Sequence, residues 1–154
     1  MENKEAFVPH NYQSRFWRTK EYLFQVRDGK RKVSLLERRI AMRENAEPTS
    51  PDIVPVSDLQ TQLFAAQEEL KFVTMVVTDM VGMLEDVNQQ MVITKRYLDG
   101  ETWEQIAVDM DMALRSVHKL HGQALPILEL MLFDNEGSEA DVNDEAHDSN
   151  QSDN

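Results

Sequence analysis

Leu114, Arg115, His118, Lys119 and Gly122 recur at the three-to-four spacing that collects residues on one face of a helix. A face carrying Arg, His and Lys can donate hydrogen bonds to a nucleic acid, or it can be only the solvated back of a packed helix. His118 and His121 stand three apart, a spacing that metal sites use. The chain has no Cys and offers no third ligand near them, so a metal role is not expected. The lack of Cys also excludes disulfides, thiolate zinc sites and a Cys nucleophile. Neither a Gly-rich phosphate loop nor a Ser-His-Asp set is visible. No cofactor is implied, and the chain is not expected to be an enzyme.

The elements that must position this face are three short helices over residues 88–133. Asp99-Gly100, following Tyr97-Leu98, reads as a helix stop, because Gly takes the left-handed conformation without penalty. Thr102 with Gln105 forms a capping-box pattern that starts the next helix. Trp103, Ile106, Ala107 and Met110 share one face of it, so Trp103 is expected in the core. The stretch "DMDMA" is the turn. In the helix that follows, Val117, Leu120, Ala124, Leu125 and Leu128 face inward. Pro126 removes a backbone donor and clashes with the preceding turn, at ~3 kcal/mol, so a kink near residues 122–126 or a fresh helix start at Pro126 is expected. Three helices with a tight turn between the last two make a helix-turn-helix unit.

Upstream, residues 16–91 read as a helical hairpin or coiled coil broken by a connector at 48–55, where Pro48, Pro51 and Pro55 exclude helix. After it, Ser57 with Gln60 has the capping-box pattern, and Val56, Leu59, Leu63, Ala66, Leu70, Val73, Val77, Met80, Leu84, Val87 and Met91 alternate steps of three and four. One continuous seam of that length implies a helix about 50 Å long. Phe64, Phe72, Val76 and Met83 widen the stripe and point to more than one partner surface. Before the connector, Phe16, Leu23, Val26, Val33, Leu36 and Ile40 keep a similar spacing, interrupted by Lys30, while Gly29 costs about 1 kcal/mol relative to Ala. Arg31, Lys32, Arg38, Arg39 and Arg43 are expected to face Glu68, Glu69, Asp79, Glu85 and Asp86 across an antiparallel pair, or else to contact a DNA backbone.

The net charge is −12, but residues 134–154 hold eight Asp/Glu and no Lys/Arg. That tail is polar, acidic and expected to be disordered, a solubilising segment or an internal competitor for basic surface. Residues 1–15 are expected to be flexible. No apolar run approaches the roughly 18 residues that cross a bilayer, and the N-terminus lacks a signal pattern, so no membrane association and a cytoplasmic location are expected.

The stretch "RYLDGETWEQIAVDMDMALRSVHKLHGQAL" resembles region 4 of bacterial sigma factors. It is closer still to phage-encoded proteins with a sigma-region-4-like domain, the ArpU/RinA type of late transcription regulators. The matching features are "YLDG", the polar cap before "WEQIA", and the V-x-x-L-H-G-x-A-L ending. With the upstream "KEYL", the basic helix and the Pro-rich break, the resemblance spans roughly residues 20–131. It implies a regulator that binds double-stranded DNA in a host bacterial cytoplasm and touches RNA polymerase. Carried over by position, the base-reading face falls on Leu114, Arg115, His118 and Lys119. Arg115 could donate two bonds to guanine, Lys119 could bond guanine or phosphate, and His118 could donate to either. Leu114 departs from the pattern, which usually has Arg or another polar residue there, and Ala113 stands where Ser or Thr would cap the helix.

The expected architecture is all-α: a long hairpin, a three-helix unit and an acidic tail. The expected function is sequence-specific DNA binding in transcription regulation, with the hairpin forming a homodimer or higher oligomer. The alternative is a coiled-coil interaction protein docking on RNA polymerase or a phage assembly partner.

Overall fold

The computed structural model describes residues 15–46 and 54–134. The expectations for 1–14, for most of the Pro-rich connector and for the tail beyond Asp134 lie outside the described residues. Those described are all-helical: α1 (Trp17–Glu44), α2 (Val56–Gly82), α3 (Val87–Ile93) continued by a π turn (Thr94–Leu98), α4 (Trp103–Asp109) and α5 (Leu114–Phe133). None of these helices is long and apolar enough to cross a membrane.

α1 and α2 lie side by side and antiparallel. Leu36 clusters with Leu59 and Ala66, Gly29 meets Leu70, and Leu23 and Val26 cluster with Val73 and Val77. A Cβ at Gly29 would stand 3.0 Å from Leu70 Cδ1, so the helices approach closely where a side chain is missing. That contact accounts for a glycine inside a helix. Lys30 is not a flaw in the seam. Its ammonium leaves the seam's edge and donates to the Leu98 carbonyl at 2.6 Å, tying α1 to the end of the π turn.

The largest core belongs to no single stretch of chain. Leu23 and Val26 of α1, Val77 and Val81 of α2, Ile93 and Tyr97, and Ala124, Leu125 and Leu128 of α5 form one cluster. Burying each of its larger aliphatic side chains contributes roughly 1.5–3 kcal/mol. A smaller core of Val92, Ile106 and Val117 holds α3, α4 and α5 together, with Trp103 packed against it.

Four sequence expectations are corrected. The seam does not run to Met91 in one helix. α2 ends at Gly82, and a new helix starts under Asp86, whose carboxylate accepts from the Asn88 and Gln89 amides at 2.8 and 3.4 Å. This resets the phase, so Val92 and Ile93 are buried while Val87 and Met91 are exposed. The Ser57–Gln60 box does not form. Pro55 occupies the N-cap position, and its carbonyl takes the first amides, those of Asp58 and Leu59. α1 and α2 share no ion pair among the described residues; Arg31, Lys32, Arg38 and Arg39 are exposed, while Arg43 is half-buried and donates to the Val54 carbonyl at 3.2 Å. Of the two outcomes expected around Pro126, a kink or a fresh helix start, the fresh start does not occur: α5 runs from Leu114 to Phe133 as one helix with the proline inside it. The helix up to Ala124 and beyond is held by Leu125 and Leu128 in the core, which offsets the lost backbone bond.

Candidate nucleic-acid interface

The local sequence places α4 and α5 with little freedom. The π turn closes with the Asp99 amide on the Thr94 carbonyl at 3.0 Å and the Glu101 amide on the Lys95 carbonyl at 2.9 Å. Gly100 then turns the chain with φ 73°, a conformation costly for other residues. The Thr102 hydroxyl accepts from the Gln105 amide and the Gln105 side chain accepts from the Thr102 amide, so the expected capping box is formed. After α4 the chain turns through Met110–Ala113, with Asp111 in the left-handed region at φ 51°, and enters α5.

The front of α5 is exposed at Leu114, Arg115, His118 and Lys119, while Val117 on the reverse is fully buried. Arg115 and Lys119, one turn apart, take part in none of the ion pairs found among the described residues. Glu101 and Asp109, at the two ends of α4, pair with Lys95 at 3.6 and 3.4 Å. Leu114 is 41% exposed at the start of the helix. His118 is less free than its neighbours, because its ring rests on Trp103 with centroids 4.7 Å apart. Gly122, also expected outward, is exposed.

Ala113 sits at the N-cap with no side-chain hydrogen bond. Ala113→Ser is therefore expected to raise stability by about 1 kcal/mol, read from the midpoint of urea unfolding. No change, or a loss, would show that the turn already satisfies these amides.

His121, named from the sequence only for its spacing from His118, was missing from the expected inward stripe. It follows Val117 by four and precedes Ala124 and Leu125 by three and four, so its spacing placed it in the inward stripe all along. It is 8% exposed, its Nε2 stands 2.7 Å from the Tyr97 hydroxyl, and its ring meets the Trp103 ring edge-on at 4.7 Å. Burial, with help from Lys20, His118 and Arg96 around it, pushes its pKa down to about 4. His121 is thus neutral at neutral pH. Burial pushes the Tyr97 phenol up, so that hydroxyl stays protonated. Arg96 covers the other side of the same group, its guanidinium 4.5 Å from the Trp103 ring centre and donating to the Glu101 carbonyl at 3.1 Å. The two histidines of α5 therefore do different work: His121 joins α5 to the π turn, and His118 lies on the rim of the exposed face. Among the described residues no group of three or more His, Asp or Glu side chains could hold a metal ion.

No protein-family model matches the chain, and no curated protein and no solved structure matches it.

Proposed function

We propose that the chain is a sequence-specific, DNA-binding transcription regulator of the sigma-region-4-like phage type, and that α4, the turn and α5 act as its helix-turn-helix. The observation that carries this reading is the pair Arg115 and Lys119, exposed together on the front of α5 and in no ion pair among the described residues, while the reverse of the helix is anchored by Val117 and His121. A helix anchored on one face with exposed cations on the other is what major-groove readout needs: Arg115 for the two acceptors of guanine, Lys119 for guanine or phosphate. The start of α5 adds uncapped amides and the positive end of its dipole, both suited to a phosphate oxygen. His118, braced by Trp103, is positioned to donate at the edge of the same surface. Leu114 supplies an apolar contact of the kind a thymine methyl takes.

The test is fluorescence anisotropy on labelled duplexes drawn from the DNA flanking the gene. The expected result is selective binding at ~50 mM salt that weakens steeply toward ~200 mM. Equal, negligible binding to all duplexes would overturn the reading.

A second reading has its own support. Val108 is 80% exposed and Leu114 41% exposed, apolar groups better matched to a protein surface than to phosphate. On that reading the unit docks on RNA polymerase, and polymerase subunits would be recovered by the tagged protein from nuclease-treated lysate.

A further inference from the structure

One face of the α1–α2 pair carries charges that take part in no ion pair among the described residues, Arg43 alone donating to a backbone oxygen, the Val54 carbonyl at 3.2 Å. Lys32, Arg39 and Arg43 line it from α1 and Glu69 from α2, with Phe72 62% exposed beside them, and Asp58, about three turns before Glu69, falls on the same side of α2. A groove of about 430 Å³ opens in this face over Gly29 and Leu70, bordered by Gln25, Asp28, Lys32 and Phe72. α1 carries nine Lys/Arg against four Asp/Glu, and α2 one against four. No ion pair among the described residues joins the two helices.

We propose that a second copy of this chain covers this face, stacked about a twofold axis that runs along the helices. Such an axis sets each α1 on the partner's α2, basic on acidic, and makes a four-helix bundle with antiparallel neighbours. A twofold axis across the helices would instead stack α1 on α1, opposing two helices of the same positive sign. The levels along the bundle follow from the contacts inside one chain, where Gly29 meets Leu70 and Leu36 meets Leu59 and Ala66. Rotation about an axis along the helices keeps those levels. Lys32 then faces Glu69 of the second copy, Arg43 faces Asp58, and Phe72 comes down over the groove that Gly29 leaves open. The face is large enough. Two helices of this length offer about 40 Å by about 20 Å, some ~800 Å² on each side, the size of a standard stable interface.

The surface is independent of the DNA-reading face, so its failure and that of the DNA reading are distinguishable. The experiment is sedimentation equilibrium of the full chain and of two charge-reversed chains, Lys32→Glu and Glu69→Lys, alone and mixed. The wild type is expected to be a dimer. Each variant alone meets like charge at both symmetry-related contacts and should dimerise on the order of tenfold more weakly. Mixed one to one they restore both contacts, so the mixture should regain the dimer, with helicity by circular dichroism unchanged throughout. A monomeric wild type would overturn the proposal and assign the face to another segment of the chain or to a different protein. Variants that dimerise as well as wild type, or a mixture no tighter than its parts, would overturn the stacking of α1 on α2.

Discussion

Acidification from pH 7 to pH 4 is expected to remove on the order of 3 kcal/mol of stability through one side chain, His121. The unfolded residue takes its proton near 6.5, whereas the folded one takes it only at about 4. Between those values the unfolded chain binds more protons, so stability falls as the pH falls and levels off below the folded value. Each unit of depression is worth about 1.36 kcal/mol. Against the roughly 5–15 kcal/mol of a typical domain this is a large share. The cause is structural. Protonation would place a cation in a buried site against Tyr97 and Trp103, with Lys20, Arg96 and His118 all contributing positive charge around it. The measurement is urea unfolding across this range for the wild type and for His121→Gln, which keeps a polar partner for the Tyr97 hydroxyl. Carboxylates titrate in both proteins, so the difference between the two profiles isolates His121. Parallel profiles would show that His121 titrates normally and is not buried as described.

The double variant Arg115→Ala, Lys119→Ala is expected to bind its selected duplex on the order of 100-fold more weakly than the wild type. A bidentate base contact contributes about 1–3 kcal/mol of discrimination, and a phosphate contact adds a further, salt-dependent part. The two singles should differ in kind. Arg115→Ala should flatten the preference among duplexes, while Lys119→Ala, if its contact is to phosphate, should weaken all of them alike and reduce the salt slope by about one. Both side chains are exposed, so unfolding midpoints should stay at the wild-type value. Unchanged affinity in the double variant would move DNA binding away from the front of α5 and favour the protein-docking reading.

Local chemistry was legible in the sequence because it is written within a few residues. The capping box at Thr102, the left-handed Gly100, the uncapped Ala113 and the inward stripe from Val117 to Leu128 each depend on neighbours within one or two turns. The helical class followed from the same periodicity. The start of α3 was also written there, as Asp86 three before Gln89, but the unbroken count of threes and fours from Val56 to Met91 masked it. A heptad count registers apolar spacing and is blind to a break that happens to preserve it.

What only the tertiary structure decided lies between residues far apart in the chain. Lys30 and Gly29 look like defects in α1 until the Leu98 carbonyl and Leu70 are brought against them. His121 is an ordinary histidine in sequence; its depressed pKa arises from the Tyr97, Trp103 and α1 groups that surround it. The core that unites Leu23, Val77, Ile93 and Leu128 draws on four helices, and no local pattern states which faces meet. The sequence alone therefore determined where helices start, which faces are apolar and which cations lie on the front of α5, since propensity, capping and periodicity act over a few residues. Burial, desolvation and close approach are sums over contacts between distant segments, and those only the packed chain could decide.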